Sequence, residues 1–317
     1  MLFLVTGAAG FIGSHLCERL LYDGHEVIGV DSFLDHYPRK VKENNVLNII
    51  HNPNLQFVDG DLCDLSLSEL LSGVDGVFHQ AAIAGVRSSW GTLFDRYIKN
   101  NVLATQLLLE ACMELDIKKF VYASSSSVYG DAQALPVTEQ TPTAPISPYG
   151  VTKLAGEHLA HLYYKNYGLP VVSLRYFTIY GPRQRPDMGF HKFIYKTLKG
   201  EEIEIYGDGE QTRDFTYIDS AVEANISAFF NGIGGGVYNI GGGSRVRLIE
   251  AIGIIEDITG KKAKLKFVER QKGDAKHTFS DVSKAKKDFE YSPQLSLREG
   301  LERHCEWLEK NIELYDF

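Results

Sequence analysis

Gly7-Ala8-Ala9-Gly10-Phe11-Ile12-Gly13 decides how the chain folds. It follows an apolar run, Leu2-Phe3-Leu4-Val5, and precedes a helical pattern from Phe11 to Tyr22. A strand, a glycine turn and a helix in that order form a seat for a diphosphate. Gly7 and Gly10 let the backbone bend and approach a ligand, and Gly13 lets the helix pack on the sheet. The helix start offers free N–H groups and a positive dipole to an anion, with Phe11 and Ile12 in its first turn. A bare GxxGxxG also fits a flexible loop, so its surroundings matter. A second apolar run, Val27-Ile28-Gly29-Val30, ends in Asp31, about twenty residues on, where an acid takes the ribose hydroxyls of a dinucleotide. A carboxylate there repels a 2′-phosphate, which favours NAD over NADP. Arg39 and Lys40 lie close enough in sequence to keep NADP open.

Working outward, short apolar runs at 2–6, 26–30, 55–58, 76–79, 119–123 and 170–175 read as strands, with helical patterns at 96–114 and 149–167. Their alternation predicts an α/β protein with a parallel, doubly wound sheet and ligands at the carboxyl ends of its strands. After Arg175 the rhythm breaks into glycine- and proline-punctuated loops. A helix at 219–230 and a strand at 237–240 are expected to rejoin the main sheet, and the remainder, through 299–309, to form a smaller lobe.

The 317 residues can bury a full core, and the formal charge of −8 argues against a general nucleic-acid binder. Cys17, Cys63, Cys112 and Cys305 form no CxxC pair and read as reduced thiols of a cytoplasmic protein. The start lacks the basic leader of a signal peptide, and no apolar run is long enough to span a bilayer. His158 and His161 share a helix, but at about 100° per residue they fall roughly 180° and 120° around from Tyr149, so no metal site is expected. The segment 261–266 reads as a solvated edge strand.

Phe120-Val121-Tyr122-Ala123 runs into Ser124-Ser125-Ser126-Ser127, at the end of a central strand. Later comes Ser147-Pro148-Tyr149-Gly150-Val151-Thr152-Lys153, where Pro148 suits a helix start and Tyr149 and Lys153, four apart, share a face. Such a pair is either simple packing or a tyrosine base. Bringing a tyrosine from a pKa of about 10 to about 7 costs roughly 4 kcal/mol. One cation roughly 5 Å away at an effective dielectric of about 20 supplies ~3 kcal/mol. Lys153 alone falls short; Lys153 with a positive nicotinamide suffices. The Tyr-Lys pair and the glycine turn therefore support each other.

Taken together, Gly7–Gly13, Asp59-Gly60-Asp61-Leu62, His79-Gln80-Ala81-Ala82, Ser125, Tyr149-xxx-Lys153 and Arg213-Asp214-Phe215 resemble the extended short-chain dehydrogenase/reductase family over nearly the whole chain. Within it the chain is similar to nucleotide-sugar 4-epimerases. The resemblance implies a Rossmann-type sheet at 1–178, joined by 219–240, with a substrate-binding lobe at 179–317. It implies Ser125, Tyr149 and Lys153 as catalytic residues. Asp61 and Leu62 would touch the adenine, Gln80, Ala81 and Ala82 would line the cofactor, and Lys153 would bind the nicotinamide ribose. Hydride would leave C4, and the 4-keto sugar would swing about its diphosphate and take the hydride back on its other face.

The sugar is read from Phe177-Thr178-Ile179-Tyr180-Gly181-Pro182-Arg183-Gln184-Arg185-Pro186-Asp187-Met188. Epimerases of neutral hexoses carry asparagine where Thr178 stands, and Thr178 with Arg-Pro-Asp-Met resembles the UDP-glucuronate 4-epimerases. Arg185 would grip the C5 carboxylate bidentately, and Arg87 and Ser88 would face the sugar. Gly189, Phe190, Lys192, Tyr206, Gln211, Arg213 and Asp274 would hold the nucleotide end, with uracil the implied base. The 4,6-dehydratases resemble Thr-Asp-Glu where this chain has Ser125-Ser126-Ser127, and the decarboxylase carries glutamate at the last position. A neutral-hexose epimerase, a UDP-glucuronate decarboxylase and a non-catalytic NAD sensor remain the alternatives. Apolar residues on several faces of 96–114 and 149–167 fit a homodimer joined by a four-helix seam.

Overall fold

A computed structural model describes residues 1–270 and 273–317. In chain order the elements are β1 (Leu2–Thr6), α1 (Phe11–Tyr22), β2 (Glu26–Asp31), α2 (Arg39–Val46), β3 (Leu55–Asp59), α3 (Leu67–Leu70), β4 (Gly76–His79), α4 (Phe94–Tyr97), a π-helical stretch (Ile98–Leu103), α5 (Ala104–Cys112), β5 (Lys119–Ser125), α6 (Pro148–Tyr167), β6 (Val171–Tyr176) and β7 (Thr178–Tyr180). They continue with α7 (Gly189–Lys199), β8 (Glu202–Tyr206), β9 (Thr212–Tyr217), α8 (Ile218–Asn231), β10 (Val237–Ile240), β11 (Arg245–Arg247), α9 (Leu248–Thr259), β12 (Lys264–Val268), α10 (Ser283–Phe289) and α11 (Leu297–Lys310).

Seven strands form one parallel sheet in the order β10-β6-β5-β4-β1-β2-β3. These strands are short and rich in Val, Ile, Leu and Phe because helices cover both faces and no polar face is needed. Phe3 stacks edge-on against Phe229 of α8 at 4.9 Å and lies 5.4 Å from Phe78. Leu4, Val77 and Phe120 fill the opposite face with Leu108 of α5. Each such fully buried side chain contributes about 1.5–3 kcal/mol. The strand order reverses between β1 and β4, and the register carries Thr6 opposite both Val30 and His79. Asp31, Gln80 and Ser125 therefore come to one edge of the sheet, around the crevice that the reversal opens.

Beyond β6 the chain builds two small sheets, β11-β9-β7 and β12-β8. Between β9 and β11 the chain returns, as β10, to the main sheet beside β6. The stretch 261–266 enters β12, whose Lys266 pairs with Glu202 at 3.1 Å.

The expected helix at 96–114 is interrupted. Its middle is the π stretch, where buried Asn101 takes both backbone groups of Ile83 (2.8 and 2.9 Å) and donates to Thr152 at 3.0 Å. The wider turn accompanies this inward polar side chain. The helix read at 149–167 starts one residue earlier, capped by Ser147, whose hydroxyl accepts from Gly150 N at 3.1 Å.

Candidate active site

The glycine turn is packed to the limit of its backbone. A Cβ on Gly13 would stand 2.1 Å from the Gly7 carbonyl oxygen, and one on Gly7 would meet Ala81 backbone at 2.9 Å. Gly7 also has φ +68°, a conformation side chains disfavour. The start of α1 has no side-chain cap, so its first N–H groups remain free toward the cleft, as a diphosphate requires. Gly7, Gly10, Phe11, Ile12 and Gly13 all line that cleft, of about 1080 Å³.

Asp31 is held rigidly. Its carboxylate accepts from Ala9 N at 3.1 Å and Phe33 N at 2.8 Å, with Lys42 Nζ at 3.4 Å. The two cations that kept NADP open are engaged elsewhere: Arg39 pairs with Glu43 and Asp59, and Lys40 lies over the Phe317 ring. The cation beside Asp31 is Lys42, which sequence reading missed. Leu62, Gln80, Ala81 and Ala82 line the cleft. Gln80 donates to Asn225 at 2.9 Å, and Ala81 N to Thr6 at 3.1 Å. Asp61 is tied to Lys99 at 2.8 Å and to Cys63 N at 2.9 Å.

Ser125, Tyr149 and Lys153 converge on the same cleft from β5 and α6. Ser125 is the last residue of β5; its hydroxyl accepts from Ser127 N and donates to Ser127 Oγ, both at 3.1 Å. Burial pushes the Tyr149 hydroxyl up, and the Ser125 hydroxyl and Arg185 guanidinium pull it back only part of the way. The Lys153 ammonium turns instead to the Ala123 carbonyl at 2.7 Å. Burial pulls Lys153 down to about 7, opposed by Glu157.

On the sugar side, Thr178 opens β7, and Arg185 approaches Tyr149 from the following loop. Arg185 Nε and Nη2 each donate to Asp187 at 2.9 Å, which occupies one edge of the guanidinium and leaves the Nη1 edge. Ser88 shares a hydrogen bond of 2.8 Å with Tyr97. Arg87 and Asp274 pair with each other at 2.6 Å, and Arg87 lies 4.0 Å over Tyr206. Gly189, Tyr206, Gln211, Arg213 and Asp274 line an adjoining cavity of about 370 Å³. Lys192 lines the main cleft. The Phe190 ring also packs in the core, 4.4 Å from Phe215. Sequence reading also missed Arg183, which fastens this loop to α1 through Glu18 at 2.6 Å and Ser14 at 3.3 Å. His158 and His161 are exposed, and among the described residues no group of three metal-ligating side chains gathers.

The profile of the NAD dependent epimerase/dehydratase family matches residues 3–241. An uncharacterized UDP-glucose epimerase of Bacillus subtilis is 49% identical over 311 residues, covering 97% of this chain and 98% of its own length. A UDP-glucuronate 4-epimerase of Thermodesulfobacterium geofontis is 38% identical over 317 residues, with 98% and 97% covered. The crystal structure of UDP-glucuronic acid 4-epimerase from Bacillus cereus, in complex with UDP-glucuronic acid and NAD, superposes with a TM-score of 0.96 at 46% identity, covering 98% of this chain and 100% of that one. With the glycine turn, the Tyr-Lys pair and the sheet order in agreement, the chain belongs to the NAD dependent epimerase/dehydratase family.

Proposed function

We propose that this protein carries NAD and interconverts UDP-glucuronate and UDP-galacturonate by epimerisation at C4. The observation that carries the proposal is the convergence of Ser125, Tyr149 and Lys153, with Thr178 and Arg185 opposite, on the cleft that the glycine turn opens. The residues fit the cofactor: a glycine cradle that a Cβ would fill, an uncapped helix start and an anchored ribose acid. Residues 1–178 with 219–240 hold it, and 179–317 hold the sugar nucleotide. When bound, NAD supplies a hydride acceptor. Tyr149 takes the proton of the 4-hydroxyl, with Ser125 hydrogen-bonded to the same oxygen, and returns it after the sugar has turned. Lys153 binds the nicotinamide ribose. The free edge of Arg185 holds the C5 carboxylate, and Arg213 faces the diphosphate.

The test is product analysis with no added NAD. Purified protein is incubated separately with UDP-glucuronate, UDP-glucose and UDP-N-acetylglucosamine. A near-equilibrium UDP-galacturonate peak from the uronate alone is the expected result. Conversion of a neutral sugar alone would overturn the uronate assignment, and a UDP-pentose as main product would make decarboxylation the native reaction. Silence with all three, even after NAD is added, would favour the sensor.

The four cysteines, all free, support a cytoplasmic location. Among the described residues no helix is long and apolar enough to cross a membrane. Exposed Ile98, Leu103, Val151 and Leu162 on two adjacent helical segments support a homodimer. Light scattering should give twice the chain mass of 35.5 kDa; a single-chain mass at micromolar concentration would overturn the dimer.

A further inference from the structure

α6 carries one more chemistry-bearing side chain on the stripe of Tyr149 and Lys153. Glu157 lies a further four residues on, on the same helix face. It is only 6% exposed. Its carboxylate accepts from the Ser124 hydroxyl and, bidentately, from Arg175 Nε at 2.9 Å and Nη2 at 2.7 Å. Ser124 and Arg175 are paired neighbours on β5 and β6. Arg175 Nη1 donates onward to the Tyr129 hydroxyl at 2.8 Å, which donates to Asn239 of β10 at 2.7 Å. One carboxylate thus ties α6 to β5 and β6 directly, and to β10 through this chain.

A buried ion pair is weak evidence for stability, because desolvation offsets most of the attraction. What sets this one apart is its neighbour. Lys153 is 4% exposed and donates to Ala123 O, with its Nζ 5.2 Å from the Tyr122 ring. The titratable groups facing it are Tyr122 of β5, whose hydroxyl burial and then Glu157 push up, Tyr149 on the same helix, and His79 of β4, which burial keeps neutral. Arg175 is the further cation, and it is committed to Glu157. Burial drives Lys153 toward the neutral amine, and Glu157 is the group that opposes this.

We propose that Glu157, anchored by Arg175 and Ser124, is a positioning residue that keeps the Lys153 ammonium charged and holds α6 at the rotation presenting Tyr149 and Lys153 to the cleft. The proposal rests on the epimerase reading above. Glu157→Gln keeps the shape and removes the charge. With UDP-glucuronate, kcat should fall about tenfold, and the alkaline limb of its pH profile should move down by about one unit. The sign follows from the charge: without the carboxylate Lys153 loses its proton at lower pH, so activity fails earlier as pH rises. Glu157→Asp keeps the charge and should keep the limb in place. If the Gln variant does not fold, Glu157→Gln/Arg175→Met leaves no unpaired charge and should move the limb in the same direction by a smaller amount, because a neighbouring cation is removed with the carboxylate. A uniform loss of kcat with an unmoved limb overturns the proposal. Titration of Lys153 by NMR in lysine-labelled protein, assigned with Lys153→Arg, reads the same charge without turnover. A Lys153 that titrates about one unit lower in the variant, in a wild type inactive on every UDP-sugar, would support the charge link and sink the epimerase reading instead. An unchanged Lys153 titration sinks the inference alone.

Discussion

Tyr149→Phe should give a folded protein that still holds NAD and yet turns over UDP-glucuronate ~10³-fold more slowly than wild type. The variant removes one oxygen from the second residue of α6 and leaves the Ser147 cap, Lys153 and the glycine turn untouched. That oxygen is the base of the proposed reaction: of the other two converging side chains, Ser125 is an ordinary hydroxyl engaged with Ser127, and Lys153 is turned to a carbonyl. Its hydroxyl is buried and held above the usual tyrosine value, so a positive charge arriving with the cofactor is what readies it. The check is kcat beside the NAD content of the same preparation. Activity within tenfold of wild type would remove Tyr149 from the role of base, and a wild type already inactive, with the same NAD content before and after the substitution, would fit a sensor.

Arg185→Ala should lower kcat/KM for UDP-glucuronate about 100-fold, the worth of a charge-assisted bidentate contact of ~3 kcal/mol, and should release some UDP-pentose. A 4-keto uronate is a β-keto acid. It loses carbon dioxide when its carboxylate bond aligns with the ketone π system, and a guanidinium that fixes the carboxylate out of that alignment suppresses the loss. Asp187 already fixes the guanidinium plane through two bonds of 2.9 Å, so the grip is aimed before substrate arrives. Chromatography of the products with UDP-glucuronate and UDP-glucose in parallel separates the roles: only the uronate should suffer. Uronate kinetics equal to wild type would remove the carboxylate assignment.

The sheet was readable because its signals are local. Most of its strands are short apolar runs, several of them ending at a glycine or an acid, and the turn at Gly7–Gly13 names what lies at the strand ends. Tyr149 and Lys153 were legible as one helix face, and the same stripe extended by four residues would have reached Glu157. The remainder depends on distance in sequence. Arg87 meets Asp274 across 187 residues, and Lys42 reaches Asp31 only because α2 folds back over β2. The interrupted helix near Asn101 answers to Ile83 and Thr152, which no periodicity shows. β8, β9 and β12 pair in two small sheets whose partners are far apart, so that region reads as loops until it is folded.

The return of β10 to the main sheet has a consequence for how the protein is made. The sheet's last strand is Val237–Ile240, and it closes the edge of β6 only after the chain has passed through β7, β8, β9 and α8. A ribosome that has released residues 1–200 displays β6 with its outer row of N–H and C=O groups bare, a template for pairing with any neighbouring chain. Synthesis of the final third therefore completes the cofactor half as well as the sugar half, and a fragment cut between them would leave each with an open seam.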